Sequence, residues 1–507
     1  MIERRSTFRE VPPAVILAAG RGARMGSKVP KPLVRLLGQS LIERAIRTCA
    51  SVGVRQFVVV VGHEEEQVSN HVNELCERLG LDVYCANAHN WSLGNGASTG
   101  AAAGYLRARR FFLLMADHLF DPEILKKLLA NPPGSDEVCL AVDRHYQQML
   151  DLDDATKVRR LNGRIAEIGK GLAKWDSIDT GAFLCAPEIF QGIEEASRSG
   201  QHQLSDAIAE LASRGVVRPV DVTGCHWLDV DTPEMLVVAE RQLLSSLNKG
   251  GQDGFVSQWI NRPLSTRLSK YLVQTGVTPN QITVASFLIS LIGAGLLAAG
   301  GYVVAALGGL LIHAASVIDG CDGEVARLKG IATPRGAWLD TMLDRYADLA
   351  ITLAIVTAYA RHAPGVLPLT VGIVAATGFI LASYVTKEFA QRHTLAYPHD
   401  LLDRMKHRDL RLLVISAGAL VGFPFQALIL VAVLSHAAVA GIMLRGWRLS
   451  PTLAGSPTNL TLPTATAPAD RLVLHRSDAA PVLRATLRPE PMVGQSVDSA
   501  LPADEVA

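Results

Sequence analysis

Short β-branched runs alternate with stretches of helical period along residues 13–243: AVILAAG, LIERAIRTCASVG, QFVVVVG, EEQVSNHVNELCERLG and LDVYCA. That rhythm predicts an α/β fold, a mostly parallel sheet covered by helices. Beyond Thr283 the apolar runs lengthen. Candidate spans fall at 282–299, 303–318, 338–361, 365–386, 409–424 and 426–445, several of them shorter than the roughly 20 residues a bilayer requires. They predict an all-α membrane domain of six transmembrane helices. One set of loops carries Arg327, Lys329 and Arg335, then Lys387, Arg392, Arg404, Lys406, Arg408 and Arg411, then Arg445 and Arg448, whereas the opposite turns carry Arg361. The bias places the basic loops inside. An even number of spans then puts both termini in the cytoplasm and makes the protein multi-pass in the cell membrane.

Residues 244–281 begin as a Gly-rich linker and continue as a basic amphipathic stretch suited to a helix on the membrane surface. From 447 to 507 the chain is rich in Pro, Ala, Thr and Ser without a sustained period, which predicts a disordered tail. At 507 residues the chain exceeds one ordinary core. Its net charge of +1, with no basic run interleaved with aromatics, argues against nucleic acid as a partner. The seven cysteines are odd in number and show no C-x-x-C spacing, so they read as free thiols in a reducing compartment. The first residues hold a short apolar run followed by glycines and charge, which fits neither a secretory signal nor a span.

Four carboxylates change this picture. Asp319 and Asp322 lie in D-G-C-D-G-E-V-A-R, and Asp340 and Asp344 in G-A-W-L-D-T-M-L-D. As i,i+3 and i,i+4 pairs they project from one face of each helix, so two such helices meeting would gather all four. Hard oxygen ligands suit Mg²⁺ or Mn²⁺. Ala326 keeps that face narrow and Arg327 can fork onto a phosphate. Ionisable groups flanked by apolar segments point to function.

This run matches D-x2-D-G-x2-A-R-x8-G-x3-D-x3-D at every fixed position and resembles the signature of the CDP-alcohol phosphatidyltransferase family. The resemblance implies six transmembrane helices and a metal-dependent transfer of a phospho-alcohol from a CDP-alcohol to a second alcohol, releasing CMP. It implies metal ligation by Asp319, Asp322, Asp340 and Asp344, with Asp344 also the base. Gly323, Ala326, Arg327 and Gly336 would shape the CDP pocket. A carboxylate that takes the proton of an attacking hydroxyl beside a clamped diphosphate is sound chemistry.

A second constellation follows the first strand, where AVILAAG runs into R-G-A-R-M-G-S-K-V-P-K-P-L. Gly20 and Gly22 would let the backbone approach phosphates whose charge Arg24 and Lys31 meet. The run L-A-A-G-x-G-x-R-M with P-K-P-L is similar to the signature of nucleotidyltransferases that activate sugar and polyol phosphates. It implies a Rossmann-like domain and attack of a substrate phosphate on the α-phosphate of a nucleoside triphosphate. By the same resemblance Asp117 would bind metal, completed by Asp229 or Asp231. Gly94, Asn95, Gly96 and Ser98 would meet base and ribose, and Lys170, Thr180 and Gly181 the acceptor.

The two resemblances together, over about residues 11–446, are similar to the bifunctional inositol-1-phosphate cytidylyltransferase and di-myo-inositol phosphate phosphate synthase family. The expected domains are 11–243 for the nucleotidyltransferase, 244–281 for linker and surface helix, and 282–446 for the membrane transferase. The family implies CTP and inositol 1-phosphate as substrates, CDP-inositol as intermediate, Mg²⁺ or Mn²⁺ in both domains, contact with membrane lipids, and a homodimer. R-D-L-R resembles a feature of this group, which selects Arg408 and Arg411 for an anionic acceptor, although a positive-inside loop carries the same charges. Two other readings stand beside this one: transfer to a lipid hydroxyl, and a first domain that only senses CTP. The long tail departs from the family pattern.

Overall fold

The computed structural model describes residues 11–106, 109–145, 152–247, 254–392 and 406–449. Of the expected disordered tail, 447–507, residues 447–449 end the last helix and 450–507 lie outside the described residues, as does Arg404.

In the first domain β1 (Ala14–Leu17), the short pair β2 (Arg35–Leu36) and β3 (Gln39–Ser40), β4 (Gln56–Val61) and β5 (Asp82–Asn87) come first. β6 (Phe111–Met115), β7 (His118–Phe120), β8 (Val138–Asp143) and β9 (Lys157–Leu161) follow. β10 (Arg164–Gly169), β11 (Ser177–Cys185), β12 (Val217–Asp221) and β13 (Trp227–Asp229) complete the strands. One sheet runs β10-β9-β11-β6-β1-β4-β5, with β8 joined to β11 and β12 to β8. The run β6-β1-β4-β5, from the sheet's middle to the β5 edge, is parallel. The unbroken run Phe57–Val61 fits there because both faces are covered: Phe57 and Val59 enter one core, Val58 and Val60 the other.

Helices α1 (Leu41–Ser51), α2 (Glu65–Leu79), α3 (Asn95–Thr99), α4 (Pro122–Ala130), α5 (Ile189–Arg198), α6 (Leu204–Ser213) and α7 (Pro233–Ser245) are threaded between the strands. The starts of two follow the local rules. Ser40 caps α1 by accepting from the Glu43 N–H, and Asp121 caps α4 ahead of Pro122. β7 pairs with β13 so that His118 stands opposite Asp229. That register delivers the Asp229 segment to the carboxyl end of β6, where open α/β sheets bind ligands.

The second domain is helical: α8 (Arg262–Leu272), α9 (Pro279–Ala299), α10 (Tyr302–Leu328), α11 (Pro334–Ala360), α12 (Val366–Arg392), α13 (Arg408–Leu420) and α14 (Pro424–Leu449). Thr278 and Gln281 form a capping box at α9, with Pro279 at its first position. Six transmembrane helices are not supported. Four segments among the described residues are long and apolar enough to cross a membrane: Pro279–Ala299, Tyr302–Leu328, Val366–Phe389 and Pro424–Arg448. The other two expected spans fall short for different reasons. α11 carries Arg335, Asp340, Asp344, Arg345 and Asp348 along its first half, and α13 has 13 residues where a bilayer needs roughly 20. Phe255, Trp259, Leu264 and Leu268 stand exposed on and just before α8. Glu324 of α10, fully buried, pins α8 by accepting from Arg262, Ser265 and Ser269, each at 2.7 Å.

Candidate active sites

The turn after β1 builds the first site. Gly22 has φ +63°, and a Cβ there would run into the Lys31 side chain, so the glycine lets the loop fold over the lysine. Gly20, Gly22, Arg24, Lys31, Asp117 and Asp231 line a cavity of about 310 Å³. Lys31 Nζ sits 2.5 Å from Asp117 Oδ2 and 4.0 Å from Asp229, and is also ion-paired with Asp231. Arg24 bridges Asp231 and Asp154, the latter at 2.7 Å, and Lys170 pairs with Asp154 from the other side.

The electrostatics follow from this crowding. Burial works against the charge on Lys31, yet Asp117, Asp229 and Asp231 outweigh it and raise its pKa. Burial likewise opposes ionisation of Asp117, but Lys31 and His118 prevail and hold the carboxyl well below its usual range. His118 Nδ1 is 2.9 Å from Asp117 and 3.6 Å from Asp229. Burial opposes the charge on that imidazole too, but Asp229 and Asp117 push it up to about 9. Asp229 goes the other way: burial, with the Asp117 charge adding, raises its carboxyl. Its Oδ1 is buried without a hydrogen-bond partner. Asp117, His118 and Asp229 together offer ligand atoms within 4.8 Å of one another, a donor set that fits a divalent ion.

A larger adjoining cavity of about 770 Å³ receives Asn95, Asp143, Asp154, Lys170, Asp179, Gly181 and Trp227 beside Arg24 and the three aspartates. Lys170 and Gly181, expected at the acceptor side, thus line this cavity. Thr180 does not: it is fully buried and its hydroxyl donates to the Ala141 carbonyl, because alternate residues of β11 face opposite ways. Of the SLGNGAS loop, Asn95 lines the cavity. Gly94 and Gly96 instead pack against the backbone of His202 and Gln203, and the Ser98 hydroxyl is turned inward onto the Gly94 carbonyl. Sequence reasoning passed over His118, Asp154 and Asp179. The first was legible in the pairing A-D-H at a strand end, whereas Asp154 and Asp179 join the site through tertiary contact.

In the second domain Asp319, Asp340 and Asp344 present carboxylate oxygens within 4.8 Å of one another, a set of hard donors that fits Mg²⁺ or Mn²⁺. Asp322 lies outside that group of three. It accepts from the Thr283 hydroxyl at 2.5 Å and from the Gly323 N–H, while Ser286 donates to Asp319 at 2.9 Å. Arg408 reaches Asp319 at 3.1 Å, Asp344 at 2.6 Å and Asp348 at 3.2 Å. Asp348, almost fully buried, also takes Arg345 and Arg411, each at 3.3 Å. Asp348 was missed although D-x3-D-x3-D repeats every helical turn from Asp340. Arg411 lies over the Phe379 ring at 4.4 Å, and its Nε is buried without a hydrogen-bond partner. Arg327 folds back towards Gly323, and Gly336 fits against Asn280 and Thr333.

Residues 14–254 match the MobA-like NTP transferase domain family and residues 276–444 the CDP-alcohol phosphatidyltransferase family. The "Bifunctional IPC transferase and DIPP synthase" of Rubrobacter xylanophilus is 38% identical over 440 residues, covering 86% of this chain and 97% of that one. Its namesake in Aquifex aeolicus is 34% identical, covering 86% and 98%. A solved inositol-1-phosphate CTP transferase from T. maritima is 26% identical over 48% of this chain and 98% of its own, with a TM-score of 0.43. With that identity over nearly the full length of its relatives, and with both transferase domains present, the chain belongs to the family of bifunctional IPC transferases and DIPP synthases.

Proposed function

We propose that the first domain joins CTP to inositol 1-phosphate, and that the second passes the phosphoinositol group from CDP-inositol to another inositol 1-phosphate, making di-myo-inositol phosphate phosphate. The observation that carries this reading is the presence in one chain of a cationic glycine loop ringed by Asp117, Asp229 and Asp231 and a carboxylate cluster lined by Arg408 and Arg411.

In the first reaction a phosphate oxygen of inositol 1-phosphate attacks the α-phosphorus of CTP, the bond to the bridging oxygen breaks, and diphosphate leaves. Gly20 and Gly22 admit the triphosphate, and Lys31 and Arg24 neutralise charge on the phosphoryl oxygens. Lys170, reached through Asp154, holds the incoming phosphate. Asp117 and Asp229, with His118, would hold the metal, while Asp231 orients Lys31 and Arg24. A divalent ion at each cluster would neutralise phosphate charge.

In the second reaction Asp344 takes the proton of the attacking inositol hydroxyl, whose oxygen displaces CMP from the β-phosphorus of CDP-inositol. Asp319 and Asp340 would hold metal with Asp344, and Thr283 orients Asp322 for the same purpose. Gly323, Ala326, Arg327 and Gly336 shape the CDP pocket. Arg408 and Arg411 receive the acceptor's phosphate; the unsatisfied Nε of Arg411 supports that role. The protein would sit as a multi-pass membrane enzyme with both sites on the cytoplasmic side, as a homodimer among lipids.

The test feeds labelled inositol 1-phosphate, CTP and Mg²⁺ to membranes holding the protein. The expected result is water-soluble CDP-inositol that chases into a di-inositol phosphate; a chloroform-soluble product would instead make a lipid the acceptor. Asp117→Asn should abolish CDP-inositol formation and leave CMP release from supplied CDP-inositol and inositol 1-phosphate intact.

A further inference from the structure

The nucleotidyltransferase domain touches the membrane domain through the hairpin that follows Lys31. Leu36 and Leu37, 2% and 4% exposed, enter one apolar cluster with Val273 and with Leu328, the last residue of α10. Helix ends leave carbonyls without intrahelical partners. At α10 one of them, on Lys329, accepts from Gln39 Nε2 at 2.6 Å, and Arg44, held on the Leu36 carbonyl at 2.7 Å, reaches the Leu328 carbonyl at 3.4 Å. Lys329 Nζ in turn donates to the carbonyls of Thr275 and Val277, at 2.9 and 2.8 Å, just ahead of the α9 cap. Gly38, at φ +80°, is pressed so close to the Val273 carbonyl that no Cβ fits.

These contacts converge on the two helices that carry the transferase site. Asp322 is seven residues back along α10 from Lys329, about 10 Å, and α9 supplies the hydroxyls of Thr283 and Ser286 that hold Asp322 and Asp319. A tilt of the α10 end relative to α9 would therefore move carboxylates against the groups that orient them. The same cluster contains Val230, between Asp229 and Asp231, and Met25, next to Arg24.

We propose that the β2–β3 hairpin of the first domain is a positioning element of the second active site: Gln39, seated by the close approach at Gly38, caps α10 and sets its attitude against α9. The inference rests on the second reaction proposed above. Gln39 touches neither substrate nor metal ligand, so its effect is on geometry. Misplacement of that kind lowers turnover more than substrate affinity.

The test uses the full chain in detergent with Gln39→Glu, which keeps the shape and removes the donor, and Gly38→Val, which forces the surfaces apart. CDP-inositol formation and CMP release from supplied CDP-inositol with inositol 1-phosphate as acceptor are measured separately. Gln39→Glu should lower kcat for CMP release about tenfold with KM for CDP-inositol nearly unchanged, and Gly38→Val at least as much. CDP-inositol formation should stay within about twofold of the parent. Amide exchange should quicken across residues 322–330 and stay unchanged in β1 and β4. Unaltered CMP release in both variants, or a matching fall of both reactions together with a lower melting temperature, would overturn the proposal. A parent chain that releases no CMP from CDP-inositol would sink the second reaction itself; the exchange comparison still decides whether the hairpin orders α10.

Discussion

Asp229 and Asp231 share a strand end and differ in environment. Asp231 is spent on Lys31 and Arg24, whereas Asp229 has a buried oxygen with no hydrogen-bond partner beside Asp117 and His118. In a chain whose other cluster is silenced by Asp340→Asn and Asp344→Asn, Asp229→Asn should weaken Mn²⁺ binding, read by electron paramagnetic resonance, at least about tenfold. Asp231→Asn should change it far less and instead slow CDP-inositol formation. Asp179 gives a pH signature. Burial, partly offset by the Gly181 N–H, raises its carboxyl to about 6. A raised carboxyl contributes stability that is complete below about pH 4 and lost as pH climbs through 6. Asp179→Asn should thus match the parent at pH 4 and exceed it above pH 7, by at most about 3 kcal/mol in thermal melts of the ligand-free protein. Residues on a motif, such as Lys31, Asp117 and Asp344, were legible in the sequence because local spacing places them. Asp154 was not, since its partners Arg24 and Lys170 are brought to it by how the glycine loop and the end of β10 meet; Asp179 accepts from Gly181 two residues on in β11, and only the assembled fold turns that local pair into the cavity.

At the scale of elements, hydrophobic period carried the reading where each element buries itself in one manner. The β-branched run of β4 and the apolar lengths of α9, α10, α12 and α14 are of that kind. It overreached at α11 and α13, whose apolar faces pack on neighbouring helices while their polar faces line the transferase site, so their pattern is neither that of a span nor that of a loop. The attachment of α8 to α10 turns on Glu324, a buried carboxylate with three donors. Glu324→Ala removes the shared acceptor of Arg262, Ser265 and Ser269 and should cost about 3–5 kcal/mol, seen as a lowered unfolding transition in detergent.

Across the whole molecule the order of the two domains was plain from the sequence, because each announces itself by a contiguous motif. Their contact was not. Gln39 and Lys329 are 290 residues apart, and neither has a side chain that marks it as an interface residue. The apolar cluster beneath that contact draws Leu36, Leu37, Val230 and Leu247 from one half and Val273 and Leu328 from the other. Its make-up bears on how freely such a fusion could come apart in evolution. A gene broken in the 248–253 segment would yield two products, each with a bared greasy patch where its neighbour had been. Co-expressed, the pieces should find one another and co-purify; made singly, they should clump. Fission of this gene would therefore demand compensating polar changes on both sides at once, which makes fusion easier to enter than to leave.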